Sequence, residues 1–164
     1  TMADLIIVNL YGGILPENGD HIIRDGFYNF LDRYASSQMA ISSYEHRDRV
    51  ESDLSDVKLI DRIARVYALE DMKYFPAEDI HLPNILTWAR RHFNTHETRT
   101  VYISNDPRDM EGARWDRAKA IQIPTFKSEE DDFSFDKIKV DSLGAELIDF
   151  YQRLRGKPQR IVLE

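Results

Sequence analysis

Apolar and polar positions fall into short blocks along the chain, and the blocks switch between two periods. Leu5-Ile6-Ile7-Val8, entered from Asp4, is a continuous apolar run rich in branched residues, the pattern of a strand buried on both faces of a parallel sheet. The Gly12-Gly13 pair punctuates it. From Asp25 to Tyr34, Phe27, Phe30 and Leu31 recur at helical spacing, and Met39-Ala40-Ile41 returns to a short strand. Two further helices are expected over His46 to Leu54 and Val57 to Tyr67, on a stripe of Val50, Leu54, Ile60, Ile63 and Val66. Met72-Lys73-Tyr74-Phe75 predicts a short strand closed by Pro76, and Pro83 opens a helix running to about Phe93. Thr100 to Ile103 is the next strand, Pro107 begins a helix reaching about Arg117, and Ala120 to Ile123 is a strand stopped by Pro124. Ser142 to Leu154 closes the series as a helix with Leu143, Leu147, Phe150 and Tyr151 on one face.

Strands alternating with helices predict an α/β fold, a Rossmann-like three-layer sandwich with a mostly parallel central sheet and right-handed crossovers. At 164 residues and 42% hydrophobic, the chain suffices for a single domain over 1–164 with a sizeable core. The loop from Asn9 to Leu15 then lies at the carboxyl end of the first strand, where open α/β sheets place their ligands.

Charge narrows the partners. A net charge of −7 argues against a broad nucleic-acid-binding face. Arg90-Arg91-His92 is the one basic cluster of note and is read as a solvated helix face, while Glu129-Glu130-Asp131-Asp132 is read as a solvated loop within the acidic segment 127–139. The sequence holds no apolar run of bilayer length and no basic-then-apolar leader. With zero cysteines it has no disulfide framework and no thiolate site. The expected setting is cytoplasmic, with no membrane contact. His92 and His96 stand four apart, a spacing that two metal ligands use, but no acidic third ligand accompanies them. Ser42, Ser43 and Ser104 lack a Gly-x-Ser-x-Gly elbow, and Gly12-Gly13 lacks the spacing of a dinucleotide fingerprint.

Three segments in order carry a resemblance. Ile6 to Leu15 is a strand and glycine loop, Met39-Ala40-Ile41-Ser42-Ser43 is a strand ending in Ser, and Val101-Tyr102-Ile103-Ser104-Asn105-Asp106-Pro107-Arg108-Asp109-Met110-Glu111-Gly112-Ala113 is a strand followed by spaced acids. Together, from about Asp4 to Pro124, they resemble the first, second and fourth motifs of the haloacid dehalogenase-like (HAD) superfamily of phosphatases. The resemblance implies a phosphoryl-accepting carboxylate at position 9 and an acid/base carboxylate at position 11. This chain has Asn9 and Tyr11 there. An amide is a poor nucleophile at phosphorus, and a phenol with an ordinary pKa near 10 is a poor proton shuttle near neutrality.

The resemblance also implies Mg²⁺ held by the side chain at position 9, the backbone carbonyl of Tyr11 and a fourth-motif acid. The first such acid has become Asn105, which leaves Asp109 in register and Asp106 displaced by one position. Phosphate contacts would come from Ser42, from the backbone at Gly12 and, in place of the family's Lys, from His81. The stretch between Leu15 and the helix near Asp25 is too short for an inserted cap, so no large cap is expected and the top of the sheet is left open.

Three functions compete on these residues. The leading expectation is a catalytically inactive HAD-like binding or assembly module that needs no cofactor and works through a protein partner or as a homo-oligomer. The alternative is a Mg²⁺-dependent phosphomonoester hydrolase of altered mechanism on an open, macromolecular substrate, with Asp106 and Asp109 holding the ion. The third is a non-catalytic binder of phosphorylated ligands using Ser42, His81 and the backbone N–H groups from Tyr11 to Gly13.

Overall fold

Branched, aromatic and small apolar residues take most positions of the five strands among the described residues, and most strand positions are buried, because helices cover the sheet on both faces. The computed structural model describes residues 3–74, 83–96, 99–115, 117–128 and 131–140. In chain order the elements are β1 (Leu5–Asn9), α1 (Phe27–Arg33), β2 (Gln38–Ser42), α2 (Arg47–Asp56), β3 (Arg65–Tyr67), α3 (Pro83–Phe93), β4 (Thr100–Ser104), α4 (Pro107–Trp115) and β5 (Lys119–Gln122). Tight 3-10 turns occupy Ile60–Arg62, Leu69–Tyr74 and Phe135–Lys137.

The sheet order is β3-β2-β1-β4-β5 and every pairing is parallel. Val8 lies between Ile41 on one side and Ile103 on the other, so the ends of β1, β2 and β4 come level. The chain runs from β1 through β2 to β3 on one side and then crosses to β4 and β5 on the other, and this reversal opens a crevice at the carboxyl ends of β1 and β4. Alternate side chains feed two cores. Ile6, Val8, Ile41, Val101 and Ile103 face Phe27 and Phe30 of α1 and Val50 and Leu54 of α2. Leu5, Ile7, Ala40 and Tyr102 face Ile85, Leu86 and Ala89 of α3 and Ala113 of α4. This is the three-layer α/β sandwich expected from the pattern.

Two segments differ from expectation. Residues 57–67 are no helix: Lys58 takes a left-handed φ of 62°, the chain makes one 3-10 turn, and Val66 and Tyr67 pair with Ile41 and Ser42 as edge strand β3. The i, i+3 spacing of Ile60, Ile63 and Val66 comes from a turn followed by a strand. Residues 69–74 in turn form a 3-10 helix and no strand. Its start is fixed by the Asp71 carboxylate, which accepts from the Ala68 N–H at 2.7 Å and pairs with Arg47. The segment after β5 is also more than a loop, because Phe133, Phe135, Ile138 and Val140 are buried against α1. The expected helix over Ser142 to Leu154 lies outside the described residues, as do Glu129 and Glu130.

Candidate functional site

Leu10 to Leu15 turns tightly at the end of β1. The N–H groups of Ile14 and Leu15 both donate to the Leu10 carbonyl at 2.9 Å, and the Gly12 N–H donates to the Leu15 carbonyl at 2.7 Å. Both glycines are required by contact. A Cβ on Gly13 would lie 2.2 Å from the Asn9 carbonyl oxygen, and one on Gly12, whose φ is +87°, would lie 2.6 Å from Asn105 Nδ2. Below the loop, Arg24 is fully buried and donates to the Gly13 carbonyl at 3.3 Å and the Gly12 carbonyl at 3.5 Å. Its guanidinium makes a two-pronged pair with Asp131 at 2.9 and 3.0 Å and sits against the rings of Phe126 and Phe133. Burial pulls the Arg24 pKa down and Asp131 counters it. Asp131 is therefore an internal partner, which corrects its reading as part of a solvated loop.

Asn9 and Asn105 meet across the crevice. Asn9 Nδ2 donates to the Tyr11 carbonyl at 3.0 Å and to Asn105 Oδ1 at 2.5 Å, while Asn9 Oδ1 accepts from the Asn105 N–H at 3.3 Å. A carbonyl can only accept and a backbone N–H can only donate, so this network fixes which end of the Asn9 amide faces which partner. Asn105 Nδ2 is taken by Thr125 Oγ1 at 3.2 Å.

The remaining expected residues disperse. Tyr11 turns to α2, donating to Asp53 at 2.5 Å with Arg49 over its ring, and burial followed by that hydrogen bond pushes its phenol pKa well up. Asp53 also takes His21 Nε2 at 2.9 Å. Burial acts to raise the Asp53 pKa, but the bonds from Tyr11 and His21 outweigh it and hold the carboxyl below its ordinary range. His21 is raised by the bond to Asp53. Ser42 is buried and accepts the Tyr102 hydroxyl at 2.6 Å, so it does not face an open anion site. Asp106 caps α4, accepting from the Arg108 N–H at 2.9 Å and pairing with its guanidinium at 2.6 Å. Asp109, only 2% exposed, accepts from Ser104 at 2.6 Å and Tyr44 at 2.8 Å. Burial nevertheless raises its pKa to about 6. His81 lies outside the described residues.

The residues present do not fit a Mg²⁺ site. Mg²⁺ takes carboxylates and waters; here the Tyr11 carbonyl and Asn105 Oδ1 are both engaged by Asn9 N–H groups, Asp106 is engaged by Arg108, and Asp109 is enclosed. Among the described residues, three metal-ligating side chains do come together, His21, Asp53 and Asp56, with their ligand atoms all within 4.8 Å of one another. His92 meets Arg65 at 2.6 Å. Sequence reasoning missed Arg24, Tyr44, Asp53 and Thr125. Each is a single polar residue with no local motif, recruited by contacts between distant segments.

No family model and no curated protein matches the sequence. Solved structures do resemble it. A haloacid dehalogenase-like family hydrolase from Streptococcus pneumoniae is similar at TM-score 0.50 and 14% identity, over 62% of this chain and 47% of that one. A HAD-superfamily hydrolase from Ehrlichia chaffeensis is similar at TM-score 0.59 and 14% identity, over 75% and 87% of the two chains. A HAD-superfamily hydrolase of subfamily IA, variant 1, from Geobacter sulfurreducens is similar at TM-score 0.60 and 11% identity, over 78% and 95%. The chain thus spans about half the length of the first and most of the other two. With the parallel order β3-β2-β1-β4-β5 and the glycine loop ending β1, these likenesses make the fold of this chain haloacid dehalogenase-like.

Proposed function

We propose that this chain is a HAD-like domain without phosphotransfer chemistry, acting as a binding or assembly module for a protein partner or a second copy of itself. The observation that carries this reading is the pair of groups standing where the resemblance calls for carboxylates. Asn9 is an amide with both N–H groups committed, and Tyr11 is a phenol of raised pKa whose O–H donates a hydrogen bond to Asp53 on α2. Neither ionises near neutrality, so neither supplies a nucleophile or a proton shuttle. The turns over residues 16–26 add no cap between β1 and α1, which leaves the loops at the carboxyl end of the sheet as the surface a partner would meet. The absence of cysteine suits a reducing compartment, and we place the module in the cytoplasm.

The test is turnover of a generic phosphomonoester at high protein concentration, with and without Mg²⁺, beside Asp109→Ala. The reading expects equal, background-level signals in all samples. Turnover that needs the metal and disappears in Asp109→Ala would replace it with the altered-mechanism hydrolase.

A further inference from the structure

Two oxygen acceptors converge on one side chain at the end of β1. The Tyr11 carbonyl and Asn105 Oδ1 lie 3.0 and 2.5 Å from Asn9 Nδ2, which has two N–H groups and uses one on each. Gathering oxygens around a single point needs a positive centre or a donor pair, because unscreened acceptors repel one another. Here the donor pair is part of the chain. The loop also packs down onto the two amides: a Cβ on Gly13 would fall 2.3 Å from Asn9 Oδ1, and one on Gly12 2.6 Å from Asn105 Nδ2.

We propose that the Asn9 amide does the work of a divalent cation, drawing the Tyr11 carbonyl and Asn105 together so that the loop is closed without metal. The consequence is a site one substitution away from needing an ion. Asn9→Asp sets a carboxylate, at a position only 6% exposed, against two oxygens that had been receiving hydrogen bonds. The lost donors and the new repulsion destabilise the loop, and a cation bridging the three oxygens restores it. The hydrogen bonds around Asn9 hold the loop in this way whether or not the domain is silent.

Thermal unfolding of wild type, Asn9→Asp and Asn9→Ala, each in EDTA and in millimolar Mg²⁺, tests it. Wild type is expected to melt at one temperature in both conditions. Asn9→Asp is expected to melt lower in EDTA and to recover by about 5 °C or more when Mg²⁺ is near a hundred times its dissociation constant. Asn9→Ala lacks donors and charge alike, so it melts lower in both conditions without recovery. A wild-type shift equal to that of Asn9→Asp overturns the inference, and so does an Asn9→Asp protein indifferent to Mg²⁺. Should Asn9→Asp fail to fold, ¹⁵N-labelled wild type titrated with paramagnetic Mn²⁺ decides the matter. The side-chain amide signals of Asn9 and Asn105 keep their intensity if the inference holds, and their selective broadening overturns it. Ion binding without turnover overturns this inference alone; metal-dependent turnover overturns it together with the proposed function.

Discussion

At the scale of single residues, the crevice holds several groups whose chemistry is set by burial. Asp109 has a folded pKa of about 6 against an ordinary 3.8. Well below pH 4 both folded and unfolded chains hold this proton; between about 4 and 6 the unfolded chain releases it while the folded chain keeps it. Its contribution to stability is therefore full at low pH and is lost as pH rises through 6, by on the order of 2–3 kcal/mol at most. Asp109→Asn, neutral throughout, should remove that drop, which urea midpoints measured on both proteins across the window would show. Failure of the two curves to converge on the acid side would contradict the assignment. Gly13 is a second residue with a sharp expectation. Because a Cβ there would fall 2.2 Å from the Asn9 carbonyl oxygen, Gly13→Ala must shift the loop, and a loss above about 2 kcal/mol is expected from denaturant unfolding.

At the scale of elements, two clamps hold the segment after β5 to the chain around α1. Arg24 and Asp131 join the chain before α1 to the segment after β5, with the guanidinium wedged between Phe126 and Phe133. Asp131→Asn leaves a buried cation with weakened compensation, and Arg24→Ala takes the donor from the carboxylate and from the Gly13 carbonyl, while the Gly12 carbonyl keeps the Phe126 N–H at 2.8 Å. Each single change should cost about 3–5 kcal/mol, while Arg24→Met with Asp131→Leu should cost much less than the sum, in a double-mutant cycle of unfolding free energies. Phe135 makes the other clamp, its ring 5.0 Å from Phe27 and 5.5 Å from Phe30. Phe135→Ala should lower stability by about 3–5 kcal/mol, and a loss below about 1 kcal/mol would contradict its place in the core.

Most elements were legible in the sequence for a physical reason. Leu5 to Val8 and Val101 to Ile103 are apolar or aromatic on both faces, and Pro83 and Pro107 mark helix starts to the residue. The stretch 57–74 was not, because Ile60, Ile63 and Val66 mimic one helical face while falling in and just after a 3-10 turn and in the strand β3. The segment around Asp131 to Val140 misled in the other direction: its acids hide a buried ion pair and four core residues. Within the site, Asn9, Asn105 and Asp109 were legible from motif order. Tyr44, Thr125 and Arg24 were not, since each is brought in by chain that is remote in sequence.

At the scale of the whole molecule, a HAD-like sheet still presents its loops at the expected crevice, yet the groups lining it are tied to one another. The amides bind each other, Tyr11 binds α2, Ser42 binds Tyr102, and Asp106 binds Arg108. None of the helices among the described residues is long and apolar enough to cross a membrane. The most direct measurement is a high-resolution crystal structure grown in millimolar Mg²⁺. Asn9 Nδ2 is expected within hydrogen-bond distance of both the Tyr11 carbonyl and Asn105 Oδ1, with no ion between them. An octahedral ion about 2.1 Å from those oxygens, with the Asn9 amide turned to offer its own oxygen, would contradict a crevice closed by its own amides.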